Sequence, residues 1–431
     1  MAARPHEKRW MELLGMTMLA SLFFGCSGDS TFCAPGSQEP CYTGAPGTEG
    51  VGACVAGVAT CAADGSTFGA CVGEVVPVTE VCSNGADDDC DGAVDEADED
   101  VDGDGFSECE GDCCETVDQC PEPTLVNPGA IEAPTEIDSV AIDDNCNGTV
   151  DEAQGTCDSG LALADTDPLN GAKAIDLCRP SEDASDWGLV GADYVRANGS
   201  PSTSTLQNGL MAAFGSNAPQ AGTSMLALST GHARSSSDPD ACVNISCAGL
   251  GSGTAPAGFP QDVPACAGSS DINDDVALSV TVRAPSNATG FVFDFTFFTF
   301  EYPEWVCTLH NDQFIALVEP APPGSINGNI AFDAQANPVS VNIGLFEVCS
   351  GCAQGTGALL GTGFDVWDGG VSDAGATGWL RTTAPVTPGS ELTIRFAIWD
   401  AGDTAWDSTV LIDNFQWLTD DDVTVSTKPV P

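Results

Sequence analysis

The C-terminal half of the chain carries the clearest alternation of apolar and polar positions. The pattern predicts strands at 275–283, 290–300, 313–319, 338–348, 391–399 and 408–418, bounded by Gly, Pro or Asn. In the second strand four phenylalanines stand at every other position and share one face: Phe291, Phe293, Phe295 and Phe297. We therefore expect a mainly β fold, with an antiparallel, jelly-roll-like β-sandwich that has this row in its core. A row that serves as a ligand platform is the less favoured interpretation.

The N-terminal half differs in composition and charge. It has few large apolar residues between 33 and 81, and no Lys or Arg between Arg9 and Lys173. The whole chain has 64 acidic and 11 basic residues and a formal net charge of −53. Because phosphate contacts need Lys and Arg, we expect no nucleic-acid partner. Such an acidic stretch either stays extended and solvated, with little regular structure, or is neutralised by divalent cations.

The first residues have the form of an export signal. Basic residues precede a short apolar run at 13–25, too short to span a membrane, which ends in Gly25-Cys26. A small residue directly before Cys resembles a bacterial lipoprotein signal. The resemblance implies that Cys26 is lipidated and anchors the chain to the cell envelope, at the outer membrane or cell surface. An ordinary secretory signal, with Cys26 in a disulfide, stays open as the alternative.

The 21 cysteines indicate an oxidising compartment. Once Cys26 is set aside the remainder is an even number, which is consistent with disulfides throughout. One group has spacing that would also suit zinc: Cys109, Cys113, Cys114 and Cys120. No His lies near it and hard oxygen ligands surround it, so we favour disulfides there. We likewise interpret Cys242 with Cys247, and Cys349 with Cys352, as local disulfides.

Two acidic half-repeats, at 82–96 and 143–152, share the core D-[DN]-C-[DN]-G-x-V-D-E. Between them lie D-x-D-G-D-G-F, at 100–106, and N-P-G-A-x-E, at 127–132. This combination resembles the putative metal-binding motif family of bacterial surface proteins. The segment before it resembles the Cys-rich module that precedes such repeats in secreted myxobacterial proteins. The resemblance implies a metal-binding segment, and a disordered acidic linker is the alternative.

The Asp-rich turn has the spacing of a calcium loop. Asp100, Asp102 and Asp104 take its first, third and fifth places, and the carbonyl of Phe106 can point inward. The twelfth place is not Glu, so Glu108 or Asp112 would complete the ligands. No flanking amphipathic helices occur, which predicts a Ca²⁺ loop of the extracellular repeat kind. Further predicted ligands in the half-repeats are Asp87, Asp89, Asp91, Asp95, Glu96, Asp143, Asn145, Asn147, Asp151 and Glu152.

The region from about 175 to 418 resembles the choice-of-anchor L domain of bacterial surface proteins. The segments that carry the resemblance are YVRANG (194–199), NDDVA (273–277), 291–305, NDQF (311–314), RFAIW (395–399) and DSTVLIDNF (407–415). The resemblance implies a β-rich fold and a surface location and names no ligand.

Acidic and amide residues recur beside the predicted strands. We predict a second metal site from five of them: Glu301, Asn311, Asp312, Asp413 and Asn414. Capping of strand ends by Asx turns is the alternative.

These patterns predict six segments. They are a signal peptide (1–25), a Cys-rich spacer module (26–81), the acidic metal-binding repeats (82–157), a linker (158–174), the β-sandwich (175–419) and a C-terminal tail (420–431). We expect a calcium-binding surface lipoprotein whose sandwich has a structural or adhesive role, with a glycan or surface protein as partner. No hydrolase, zinc-protease or phosphate-loop motif occurs, so we expect no enzyme. A structural envelope protein without a discrete ligand and a secreted polysaccharide hydrolase remain alternatives.

Overall fold

The structure is a computed structural model of the chain, and it describes residues 33–95, 98–134, 140–182, 186–264, 266–365 and 374–430. The chain divides into two compact units, Met1–Glu96 and Ala97–Pro431. The predicted signal peptide, Cys26 and Glu96 lie outside the described residues.

The first unit is stabilised by disulfides more than by an apolar core. An antiparallel ribbon pairs β1 (Gln38–Cys41) with β2 (Gly57–Thr60). Three disulfides cross-link the unit: Cys33–Cys61, Cys41–Cys71 and Cys54–Cys90. Because few large apolar side chains are present, these covalent links supply much of the order.

The second unit is a β-sandwich of two antiparallel sheets, as the sequence predicts. A short helix, α1 (Pro168–Lys173), comes first. The strands are β3 (Gly188–Val195), β4 (Asn208–Met211), β5 (Met225–Ser229), β6 (Ile272–Arg283), β7 (Gly290–Thr299), β8 (Gln313–Glu319), β9 (Val339–Ser340), β10 (Gly375–Ala376), β11 (Leu380–Pro385), β12 (Glu391–Ala401), β13 (Ser408–Leu418) and β14 (Ser426–Pro429). One sheet has the order β14-β11-β7-β13-β5-β4, with β10 beside β7, and the other β3-β6-β12-β8-β9. Across the described ranges, no helix is both long and apolar enough to cross a bilayer.

The aromatic row of β7 faces the opposite sheet and is fully buried. The ring of Phe293 contacts Phe396 of β12, with centroids 5.0 Å apart. The ring of Phe295 contacts Phe314 of β8, with centroids 4.9 Å apart. These contacts join the two sheets, so the prediction that the row forms core is confirmed.

The predicted strands differ from the observed ones in identifiable places. The predictions at 313–319 and 408–418 coincide with β8 and β13. The predicted strand at 338–348 shrinks to β9, because the chain turns from residue 341 onwards, where Asn342 and Gly344 stand. The sequence does not predict β3, β4, β5, β10, β11 and β14, whose apolar patterns are short or diluted by small and polar residues.

Every cysteine from Cys33 to Cys352 is disulfide-bonded, so the prediction of disulfides rather than a zinc site is confirmed. In the second unit the pairs include Cys113–Cys146, Cys114–Cys120, Cys157–Cys178, Cys242–Cys247, Cys266–Cys307 and Cys349–Cys352. The Cys349-x-x-Cys352 pair forms the local disulfide that its turn predicts.

From residue 98 onwards, the acidic segment shares a unit with the sandwich and packs on it. The backbone N–H of Ile131 donates to Asn287 Oδ1 (2.9 Å), and Asn287 Nδ2 donates to the Ile131 carbonyl (2.7 Å). The backbone N–H of Ser286 donates to the Gly129 carbonyl (2.9 Å). The Ile131 side chain joins the sandwich core. The sandwich therefore supports this half of the metal-binding segment directly.

Candidate metal sites

The Asp-rich loop is folded by its own carboxylates. Asp100 accepts hydrogen bonds from the backbone N–H groups of Gly103 (2.7 Å) and Gly105 (3.0 Å). Both glycines lie in the left-handed backbone region, with φ of 83° and 102°, which lets the chain curl tightly. One carboxylate oxygen from each of Asp100, Asp102 and Asp104 lies within 4.8 Å of the others. The structure thus brings together the three aspartates that the spacing predicts.

Two more acidic residues, Asp112 and Glu115, join this group, and each is only 5% exposed. Each uses one oxygen to accept a backbone N–H, at 2.8 Å in both cases. Their second oxygens, together with Oδ2 of Asp102, are buried without a hydrogen-bond partner. Burial raises the pKa of Asp112 to about 6, and the charges of Asp104, Glu115 and Asp102 add to the rise. Glu115 lies against the loop, because its Oε2 accepts the backbone N–H of Val101.

Of the two predicted ligands that could close the loop, Glu108 turns away. Its Oε1 accepts a hydrogen bond from Gln119 Nε2 (3.3 Å). The sequence does not predict Glu115 at all. Its approach depends on the 3-10 turn at Glu108–Glu110 and on the Cys114–Cys120 disulfide, neither of which the loop spacing reveals.

The N-P-G-A segment fixes the loop to the sandwich. Asn127 is fully buried; its Nδ2 donates to Asp104 Oδ2 (2.6 Å) and its Oδ1 accepts from Ser286 Oγ (2.7 Å). Gly129 packs under the ring of Phe106, where a Cβ atom would come within 2.9 Å of the ring. This close approach explains why glycine stands in the motif at that place.

The second half-repeat forms a loop of the same kind. Asp143 accepts from the backbone N–H groups of Asn147 (3.1 Å) and Gly148 (2.7 Å). The side-chain amides of Asn145 and Asn147 both donate to Oε1 of Glu152. Oε2 of Glu152 is buried without a partner. Four of the predicted ligands therefore lie together, and amide donors already satisfy part of their charge.

The first half-repeat, in the first unit, has matching hydrogen bonds. Asp87 accepts from the backbone N–H groups of Asp91 and Gly92, both at 3.1 Å. Asp95 instead accepts two backbone N–H groups at the start of the half-repeat, so it holds a turn. Three residues present oxygens within 4.8 Å of one another: Glu80, Asp87 and Asp89.

Glu80 and Glu132 occupy equivalent places in the two half-repeats, and the sequence does not predict either as a site residue. Glu80 accepts the backbone N–H of Asp89 (3.2 Å), and Glu132 accepts that of Asn145 (3.2 Å), its counterpart. Glu132 also accepts the backbone N–H of Asp151 (2.8 Å). Each of these glutamates precedes the Asp-rich core of its half-repeat. The number of residues between the glutamate and the core differs between the two half-repeats, so sequence spacing does not predict either glutamate as a ligand.

The structure divides the five residues predicted as a second metal site. Glu301 and Asp312 lie together, since the backbone N–H of Asp312 donates to Glu301 Oε2 (3.3 Å), but Asp413 and Asn414 lie elsewhere. Asp312 accepts a hydrogen bond from Ser408 Oγ (2.6 Å) at the start of β13. Asp413 lies five residues beyond Ser408 on β13. At ~3.3 Å per residue, Asp413 is therefore about 17 Å from Ser408. Asn311 Oδ1 accepts from the backbone N–H of Asn342 (3.2 Å). These residues therefore do not form one site.

Asp413 and Asn414 belong to a different polar network. Asn414 Nδ2 donates to Asp294 Oδ2 (2.8 Å), and Arg381 holds both oxygens of Asp294 at 2.7 Å. Asp413 accepts backbone N–H groups, including that of Ala221 (3.2 Å), and burial raises its pKa to about 7. A cation already present in the chain, the guanidinium of Arg381, therefore compensates Asp294.

Two family models match the sequence. The model described as choice-of-anchor L domain matches residues 195–416, which is more than half of the chain. The chain belongs to the choice-of-anchor L domain family. The model described as putative metal-binding motif matches residues 77–96 and 124–152, and its short label refers to copper. No curated protein and no solved structure matches the chain.

As a choice-of-anchor L protein with a metal-binding motif, the chain is a cell-surface protein, and both matched families are non-catalytic types. The loop at 100–106, with Asp112 and Glu115, lies between the two matched segments of the metal-binding motif. Glu301 and Asp312, two of the residues predicted as a second metal site, are 2% and 0% exposed.

Proposed function

We propose that this choice-of-anchor L protein is a calcium-binding lipoprotein of the cell surface, whose sandwich binds a surface glycan. One observation carries the metal part: Asp102, Asp112 and Glu115 each bury an oxygen that has no hydrogen-bond partner. A buried, ionised carboxylate without a partner costs several kcal/mol. A divalent cation removes that cost by coordinating the oxygens. Cys26, outside the described residues, would carry the lipid.

The chemistry of the ligands supports calcium over copper or zinc. The group offers carboxylate oxygens, which hard cations prefer. The cysteines from Cys33 to Cys352 are in disulfides and so offer no thiolate. The chain has three histidines, His6, His232 and His310, and none stands within the metal-binding motif. Copper sites built on imidazole or thiolate therefore lack their ligands here.

The position of the loop explains what the metal would do. The side chain of Asn127 is hydrogen-bonded both to Asp104 of the loop and to Ser286 of the sandwich. A cation that draws the loop carboxylates together would therefore also fix this contact. Calcium would act as a structural element that holds the acidic segment on the sandwich.

A pocket near the end of β13 supports a glycan as the partner. It has a volume of about 210 Å³ and is lined by aromatic residues that include Trp187, Phe415 and Trp417. Trp187 Nε1 and both carboxylate oxygens of Asp176 have no hydrogen-bond partner. Aromatic faces with nearby polar groups are suited to the apolar faces and hydroxyls of a sugar ring.

A glycan array probed with calcium-loaded protein tests the binding role. We expect a defined set of glycans to bind, and Trp187→Ala to lose at least about 10-fold in affinity, since a stacking face disappears. Trp379→Ala, outside the pocket, is the matched control and should bind as wild type does. An array on which the folded, calcium-loaded protein binds nothing would favour a structural envelope protein.

A further inference from the structure

Four acidic residues meet at one end of the sandwich, where strands of both sheets end. Glu301 follows β7 and Asp407 precedes β13, and these two strands pair in one sheet. Asp312 precedes β8 and Asp400 lies near the end of β12, and these two pair in the other sheet. The group therefore gathers one acid from each of four strand ends.

All four side chains are buried, with exposed fractions of 2%, 0%, 1% and 4% in chain order. Asp312 accepts hydrogen bonds from the backbone N–H of Ala401 (2.9 Å) and from Ser408 Oγ (2.6 Å). Asp407 Oδ2 accepts from the backbone N–H of Cys247 (2.8 Å). Three oxygens of the group have no partner: Oδ1 and Oδ2 of Asp400, and Oδ1 of Asp407.

No basic side chain is paired with these acids among the described residues. The arginine ion pairs found there involve Asp186, Asp275, Asp294 and Glu391. His310 is partly exposed and lies 3.2 Å from Asp403, outside the group. Burial, followed by the charges of neighbouring carboxylates, raises the pKa of Glu301 and of Asp400. In the part of the chain that the structure describes, these four buried acids therefore have no ion-pair partner.

We propose that Glu301, Asp312, Asp400 and Asp407 together bind a buried divalent cation of the hard, oxygen-preferring class to which Ca²⁺ belongs. Carboxylate oxygens are the ligands of that class, and six to eight are the number that calcium takes. The three oxygens without partners are the places where a cation is needed most. Because the group is enclosed, the ion would be trapped as the strand ends close, and it would join the two sheets.

Shared protons are the competing explanation. Asp312 and Asp400 lie within hydrogen-bonding reach of each other, so a proton between them would also reduce repulsion. Protonation would, however, leave acceptor oxygens of Asp400 and Asp407 unused in the interior, which is costly. The two explanations differ in metal content.

Metal content after chelation under native conditions tests the proposal. The full-length protein, with disulfides intact, is incubated with EDTA, desalted and measured by inductively coupled plasma mass spectrometry. We expect the exposed loop around Asp100 to lose its ion and the buried group to retain one equivalent per chain. Asp400→Asn should lose that equivalent. Asp403→Asn, on the neighbouring exposed loop, is the matched control and should retain it.

A second measurement covers the case in which Asp400→Asn does not fold. Wild-type protein is unfolded in guanidinium with EDTA and refolded with Tb³⁺, and terbium emission is excited through tryptophan. Trp399 and Trp406 stand next to Asp400 and Asp407 in sequence, so we expect sensitised emission that added EDTA does not remove. Folded wild-type protein that retains no metal after native chelation, or folded Asp400→Asn that retains as much as wild type, would overturn the proposal. Neither result depends on the loop site.

Discussion

Replacing Arg381 by Met is expected to lower the free energy of unfolding of the second unit by about 3 kcal/mol. Asp294 is the reason, because its side chain is only 1% exposed and Arg381 holds both of its oxygens. Without the guanidinium, Asn414 Nδ2 is the donor that remains beside a buried charge. Removing one partner of a buried ion pair typically costs about 3–5 kcal/mol. The partial exposure of Arg381 places the effect at the lower end.

Urea unfolding monitored by tryptophan fluorescence measures this effect, since every tryptophan except Trp10 lies in Ala97–Pro431. Arg179→Met is the matched control: Arg179 is as exposed as Arg381, but its partner Asp186 is 22% exposed. That change should cost about 1 kcal/mol or less. Adding Asp294→Asn to Arg381→Met should recover much of the loss. Equal costs for the two arginine variants would contradict the importance of the buried carboxylate.

Replacing Glu115 by Gln is expected to weaken calcium binding at the loop at least about 10-fold, or ~1.4 kcal/mol. Glu115 and Asp112 supply two of the three buried oxygens without partners, so adding Asp112→Asn should abolish saturable binding at this site. Glu108→Gln is the matched control. Glu108 accepts a hydrogen bond from Gln119, so this change should leave the calcium affinity unchanged. Isothermal titration calorimetry with Ca²⁺ gives all three values.

Without metal, Asp112→Asn should not lower the free energy of unfolding. Burial raises the pKa of Asp112, so its ionisation at pH 7 destabilises the calcium-free fold, and this cost is absent below the ordinary Asp pKa of about 4. In EDTA at pH 7, Asp112→Asn should therefore be at least as stable as wild type. Destabilisation by Asp112→Asn in EDTA, equal to that in calcium, would show that the carboxylate has a role unrelated to metal.

Strong periodicity made much of the sandwich predictable. The ends of the apolar runs predict where β7, β8 and β13 begin and end, and the phenylalanine row of β7 predicts the core. β11 alternates buried and half-buried residues, but it does so with Thr, Arg and Ala, which carry little apolar signal. The short strands exist because a neighbouring strand is there to pair with, and that information is not local in the sequence.

The candidate sites divide in the same way. Asp100, Asp102 and Asp104 are close in sequence, so their spacing was sufficient to predict them. Glu115 reaches the loop only after the chain reverses at Gly111, where φ is 100°. Asp400 and Asp407 look like ordinary strand-end acids until the pairing of four strands brings them to Asp312. Sequence spacing reports local geometry, and these contacts are tertiary.

Thermal unfolding of the mature protein, in calcium, then in EDTA, then after calcium is restored, tests the central claim most directly. At a calcium concentration about 100-fold above the Kd, binding should add about 2.7 kcal/mol, a shift of roughly 5 °C in Tm. We predict that EDTA lowers the Tm by this amount, that calcium restores it, and that Mg²⁺ at the same concentration restores less. A Tm that does not change when calcium is removed and returned would contradict the claim that the acidic segment is a calcium-binding element.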